Sequence, residues 1–376
     1  MHVSILHAEV TGKKIAIDYY GHQLEFDLNK SAITKHFVLL NDSSIKSTVN
    51  YLQNHAEVDS LYHQLHTIAV DYKLDNMACW LLIKKVTEEA FKKEQEAFKQ
   101  LFMYTLLWKM DLDLILGFNS QVITIYARTN VWLDNIMYVQ DGNKYYFDIS
   151  FNQKRIPGKE SAVVFDQPNN QYPFVINTMH PPVLNASYKK QIIPFEYDGF
   201  VYFFPVTINY SLVSYYRDLP TIDISSMYLN YGLSEVTKQT LVKEMKKAVK
   251  GMSTEIAIDF LLKFTQRSFE YRRDEEIYGQ EKFSFPEETI LNNYSDCEDK
   301  AMLFATLVKE VLGLNSIALF YKDAAHINVA VQSPYPQMQH NFSFNDKEYI
   351  VCEPTLEGFA IGQNSVQTKT ASLIEW

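Results

Sequence analysis

Tyr294-Ser295-Asp296-Cys297-Glu298-Asp299-Lys300-Ala301 runs directly into the apolar stretch Met302 to Leu312. This pattern predicts a buried helix with a cysteine at its start. Ser295 and Glu298 have the S-x-x-E spacing of a capping box, which makes Ser295 the predicted N-cap and places Cys297 at the second helical position. There the first-turn N–H groups and the helix dipole favour a thiolate, and a thiolate is a nucleophile. Ala301, Met302, Leu303, Phe304, Ala305, Leu307, Val308, Val311 and Leu312 leave almost no polar face, so the helix belongs at the centre of its domain. An inert core thiol is the competing reading of Cys297. The polar neighbours Ser295, Asp296, Glu298 and Asp299 argue instead for a partly exposed helix start.

Two residues further on complete a possible reaction centre. His326 heads the strand-like run Ile327-Asn328-Val329-Ala330-Val331-Gln332. Alternation puts His326, Asn328 and Ala330 on one face and Ile327, Val329 and Val331 on the other. A lone histidine is more often structural, but one that follows a candidate nucleophile by one helix and one strand fits a general base and acid. His340, in a polar stretch, is the weaker rival. Glu353 ends the run Tyr349-Ile350-Val351-Cys352, where alternation sends Tyr349, Val351 and Glu353 one way and Ile350 and Cys352 the other. Cys352 is therefore read as a core thiol, and Glu353 as the acid that orients the imidazole.

Composition limits the alternatives. The chain has 376 residues, enough for two or three domains, with 21% charged and 47% hydrophobic residues, as in a globular protein. Its 25 Tyr and 24 Phe favour strands. A net charge of −10 without a basic stripe argues against nucleic-acid binding. No apolar run reaches about 18 residues, so no membrane span is expected. The first residues show no basic segment followed by a long apolar core, which makes the cytoplasm the default location, or the periplasm if the chain is trimmed. Three cysteines, Cys79, Cys297 and Cys352, form no disulfide framework. There is no C-x-x-C, no H-E-x-x-H and no calcium-loop pattern, so no metal or cofactor is implied.

The pattern along the chain predicts an α+β fold in three parts. Residues 1–150 read as a hairpin turning at Gly21, four helices (44–54, 58–72, 76–90 and 93–109) and strands over 121–127, 136–139 and 144–149. Residues 151–232 are rich in proline and read as a β module, or as a β extension of one neighbour, with strand-like runs at 200–204 and 206–213. Residues 233–376 carry the cysteine helix and the strands that hold His326 and Glu353, with Ser234 and Ser253 as N-caps. A faint repeat links Leu101–Met110 to Met302–Val311. In that alignment Glu96 falls at the cysteine position and no histidine precedes the strands, which reads either as a degenerate first copy or as two unrelated segments of similar pattern.

Residues 253–365 resemble the transglutaminase-like, cysteine-protease-like superfamily. The matching stretches are Tyr294-Ser-Asp-Cys297-Glu-Asp-Lys-Ala, Ala325-His326-Ile-Asn-Val-Ala-Val and Tyr349-Ile-Val-Cys-Glu353-Pro-Thr. Phe269-Glu-Tyr and Phe285-Pro-Glu-Glu also look like uncharacterised bacterial members of the group. The resemblance implies a papain/transglutaminase-like domain, a buried helix on an antiparallel sheet, with Cys297, His326 and Glu353 as the catalytic triad. It implies amide chemistry through a thioester on a protein or peptide substrate, with peptidase or amidase action favoured over crosslinking. One departure is that the family's acid is usually Asp. The alternative is a catalytically silent binding or assembly module. Neither the oligomeric state nor the second oxyanion donor is legible.

Overall fold

A computed structural model describes residues 14–33, 38–150, 160–163, 165, 171–177, 180–222, 232–277, 279, 282–334, 342–366 and 371–375. His340, Pro157 and Pro168 lie outside these residues. The chain divides into two compact units: 1–177 with 182–185, and 178–181 with 186–376. The stretch 151–232, read from sequence as a linking module or an extension of one neighbour, is shared between the two. Ser161–Val163 joins the first unit's sheet, and the long hairpin 188–209 packs into the second unit's core.

In the first unit, β1 (Lys14–Tyr19) and β2 (His22–Asp27) form the expected hairpin around Gly21, whose φ of 90° suits a residue without a Cβ. Then come α1 (Asp42–Gln53), α2 (Ala56–Asp71), α3 (Asn76–Ala90) and α4 (Glu96–Trp108). Five strands follow: β3 (Leu114–Phe118), β4 (Ile123–Arg128), β5 (Tyr138–Asp141), β6 (Lys144–Asp148) and β7 (Ser161–Val163). They form an antiparallel sheet of order β5-β6-β4-β3-β7.

The second unit opens with β8 (Tyr188–Tyr197) and β9 (Phe200–Asn209), a hairpin whose inner face carries Ile193, Phe195, Phe204, Val206 and Ile208 into the core. The expected strand 206–213 breaks at Asn209. Its side chain accepts from Leu212 N at 3.2 Å and starts α5 (Tyr210–Arg217) instead. α6 (Glu235–Thr237) and α7 (Lys243–Ala248) are joined by a π-helical turn, and α8 (Thr254–Ser268) is capped by Ser253 as predicted. Between α8 and the cysteine helix lie β10 (Glu270–Tyr271), α9 (Asp274–Ile277), α10 (Pro286–Asn292) and β11 (Tyr294–Ser295), with β10 and β11 paired in parallel.

The cysteine helix α11 (Cys297–Leu307) continues through a second π-helical turn to Leu312. From Asp299 to Val308 it is buried, against α8, α10 and two strands, Ser316–Tyr321 and His326–Gln332, of a second five-stranded sheet. That sheet contains β12 (Ser316–Tyr321), β13 (His326–Gln332), β14 (Phe342–Phe344), β15 (Lys347–Cys352) and β16 (Ser372–Glu375). Its order is β14-β15-β13-β12-β16, and every pairing is antiparallel. Taken in chain order after the helix, the strands of both units are arranged identically. The face that meets the helices carries Ile327, Val329, Val331, Ile350 and Cys352. The opposite face carries Ala330, Tyr349 and Val351. Both sets follow the predicted alternation.

Candidate active site

The helix that presents Cys297 starts one residue later than the capping-box reading. Ser295 is drawn into β11, where it pairs with Tyr271. Asp296 takes over as N-cap, its carboxylate accepting from Asp299 N at 3.2 Å, so Cys297 is the first helical residue and Glu298 closes no box. Asp299 occupies the third position, buried, and accepts from Ser284 N at 2.7 Å, which ties the incoming chain to the helix. Burial, reinforced by Asp296 and Asp274, pushes the Asp299 carboxyl pKa well above its ordinary 3.8. Cys297 itself is partly exposed, unlike Cys79 and Cys352.

β13 and β15 bring the other two predicted residues to the same place. His326 Nε2 lies 2.8 Å from Glu353 Oε2, and Cys297 is close enough to the ring to act on its protonation. Burial alone would lower the histidine pKa. Cys297 and Glu353 outweigh it and raise the value from 6.5 to about 10, so the ring carries a proton at neutral pH. Glu353 is completely buried. Burial would raise its pKa, but hydrogen bonds from His326, Ser365 and Thr355 hold it below the ordinary 4.5.

The extra methylene of Glu353, compared with Asp, leaves no slack. Thr355 donates to Oε1 through its hydroxyl at 2.5 Å and its backbone N–H at 3.2 Å, while Ser365 Oγ donates to Oε2. Asn328, with its amide nitrogen turned toward the carboxylate, donates to Oε2 at 2.9 Å and Oε1 at 3.1 Å; the opposite orientation would set its carbonyl against the two oxygens. The backbone is clamped as well. Gln266 Nε2 on α8 donates to the Glu353 carbonyl at 2.7 Å, and Lys300 Nζ, one turn past Cys297, donates to the Gln266 carbonyl at 3.1 Å. Helix α8 thus links the start of α11 to the backbone of Glu353. Burial lowers the Lys300 pKa to about 8.

Sequence reasoning missed Tyr271. Its hydroxyl is 3.6 Å from Cys297 Sγ, placed there by the two-residue pairing of β10 with β11. Burial and the contact with Cys297 push its pKa up, so it remains a hydrogen-bond donor through the neutral range. Cys352 lies on the core face, its Sγ 3.7 Å from the Ile350 carbonyl oxygen, and burial pushes its thiol pKa far up.

Among the described residues, no group of three or more His, Cys, Asp or Glu is placed to hold a metal ion. Among these residues, no helix is long and apolar enough to cross a membrane. No protein-family model, no curated protein and no solved structure matches the chain. The chemistry is therefore argued from the geometry of the site itself.

Proposed function

We propose that the second unit is a transglutaminase-like thiol enzyme that acts on amides through a thioester. The observation that carries this reading is the His326 ring, 2.8 Å from the buried carboxylate of Glu353 and beside Cys297 at the start of α11. With the thiol proton already on His326, the Cys297 sulfur attacks the amide carbonyl carbon. A C–S bond forms and the carbonyl oxygen becomes an oxyanion. The oxyanion is received by the Cys297 backbone N–H at the helix start and by the Tyr271 hydroxyl, which stands at the sulfur. The C–N bond then breaks as His326 passes its proton to the leaving amine. Water, or a second amine, attacks the thioester, His326 accepts its proton, and the C–S bond breaks to free the thiolate. Glu353 stays ionised throughout and orients the ring. Hydrolysis of peptide or isopeptide bonds is the favoured outcome, with amine transfer the variant.

The first unit is read as a degenerate copy. The shared strand order supports this, as does the start of α4 at Glu96, the residue that sequence alignment sets against Cys297. β4 begins at Ile123 where β13 begins at His326. In that register Tyr126 pairs with Asp148 as Val329 pairs with Cys352, so Ile149 stands at the Glu353 position. Neither isoleucine transfers a proton. Casein, a peptide library and an amine-incorporation assay test the proposal. Turnover in any one that vanishes in Cys297→Ala supports it; inactivity in all three, with no covalent adduct from an electrophilic probe, defeats it.

A further inference from the structure

We infer that the outer face of the β8–β9 hairpin is a surface on which two copies of this chain associate. One face of the ribbon is buried in the core, and the other is apolar and open. Ile192 is 64% exposed, Val201 60% and Phe203 67%, with Pro194 and Pro205 exposed between them. The register groups these side chains into one patch: Ile192 opposite Pro205, and Pro194 opposite Phe203. The first unit provides an internal control. Its β1–β2 hairpin exposes Lys14, Ala16, Asp18, Gln23, Glu25 and Asp27, and Lys14 Nζ bonds Glu25 at 2.8 Å. A solvated hairpin face in this chain is therefore polar, and the face of β8–β9 is not.

Two features select a second copy stacked face to face. First, the edges are poorly suited to strand addition. The two-residue turn at Asp198-Gly199 makes Tyr197–Phe200 a hydrogen-bonded pair. By alternation Pro194 and Pro205 fall in non-hydrogen-bonded pairs, where each edge lacks an outward N–H. Second, the charges on the face complement themselves. Lys190 and Glu196 are exposed at opposite ends of the same face of β8, about 20 Å apart at the usual rise. A two-fold axis lying in the plane between the faces and crossing the strands sets each Lys190 over the second copy's Glu196. The same rotation stacks Ile192 on Pro194 and Phe203 on Pro205 of the other copy. The patch is small beside a standard interface, so the dimer is expected to be of micromolar strength.

Sedimentation velocity of the full chain, from about 1 to 100 µM, tests this. Wild type is expected to shift from monomer to dimer across that range. Phe203→Glu is expected to weaken association by about tenfold or more while leaving the thermal midpoint and circular dichroism unchanged. Lys190→Glu and Glu196→Lys should each weaken the dimer, and the two together should restore it. A wild type that stays monomeric, a dimer unaffected by Phe203→Glu, or a double reversal no stronger than the singles would overturn the inference. So would a monomeric wild type that binds phosphatidylcholine vesicles through Phe203, since the face would then be a lipid surface. None of these outcomes depends on the chemistry proposed for Cys297.

Discussion

His326 Nε2 and Glu353 Oε2 lie 2.8 Å apart, although one residue begins a strand and the other follows the end of a neighbouring strand. In the antiparallel pairing of β13 with β15, Val329 faces Cys352, which brings the head of one strand and the tail of the other to the same edge. A buried carboxylate with several donors and one imidazole partner is a stable charge, and that charge sets the histidine's protonation.

The first consequence is a pH dependence of stability. The His326 pKa rises on folding from 6.5 to about 10, so its stabilisation is fully present below about pH 6.5 and is lost as pH rises toward 10. The Glu353 pKa falls on folding, so its contribution is present above about pH 4.5 and is lost as pH drops through the depressed value. Unfolding free energy measured by denaturant across this range should be highest between pH 4.5 and 6.5 for this pair. Glu353→Gln should flatten both limbs. Limbs unchanged in that variant would show that the pair does not carry them.

Glu353→Gln should also slow turnover, but less than Cys297→Ala does, because the acid orients the base and stabilises its charge while the thiol forms the covalent bond. Glu353→Asp withdraws the carboxylate by one methylene from donors built around Glu, so it should be slower than wild type despite keeping the charge. The ratios of kcat decide this; Glu353→Asp equal to wild type would show that the fit around Glu353 is unimportant.

Tyr271→Phe keeps the ring and removes the hydroxyl that stands 3.6 Å from Cys297 Sγ. If that hydroxyl receives the oxyanion, kcat should fall on the order of a hundredfold with little change in KM. Loss in KM alone would make Tyr271 a substrate-binding residue.

The three thiols should separate by role. Cys297→Ala removes little core volume at a polar helix start and should cost less than ~1.5 kcal/mol while abolishing activity. Cys352→Ser buries a hydroxyl among Val329, Ile350 and the rest of the core and should cost about 1–3 kcal/mol while leaving activity intact. Thermal or denaturant unfolding of each variant, with the activity assay alongside, checks both directions.

Much of this arrangement was legible in the sequence. Asn76–Ala90 forms as read because Asp75 caps it, accepting from Ala78 N at 2.7 Å, and because its apolar periodicity is strong. The alternation around His326 and Glu353 held because each sheet face packs against a different cluster. The start of α11 shifted by one because Ser295 and Asp296 are both good caps, and the long-range pairing of Ser295 with Tyr271 chose between them. Leu114–Phe118 was overlooked, since a short unbroken apolar run containing Gly117 has no period to read. Gly117 is required there: a Cβ would come within 2.8 Å of Glu160 Oε2 and 2.9 Å of a Tyr126 ring carbon. Tyr271 stood only inside the Phe269-Glu-Tyr resemblance, without a role, and Ser365 gave no signal, because a two-residue strand and an irregular segment carry no periodicity and both reach the site only through tertiary structure.

The central claim is that Cys297 is an activated nucleophile and His326 its partner. Limiting iodoacetamide at mildly acidic pH, followed by mapping of the adducts in wild type and in His326→Ala, tests it most directly. Burial holds the Cys79 thiol up at about 12 and shields Cys352, so wild type should be alkylated first at Cys297, and His326→Ala should lose that preference. Faster labelling of Cys79 or Cys352, or Cys297 labelling that is unchanged without the imidazole, would contradict the account.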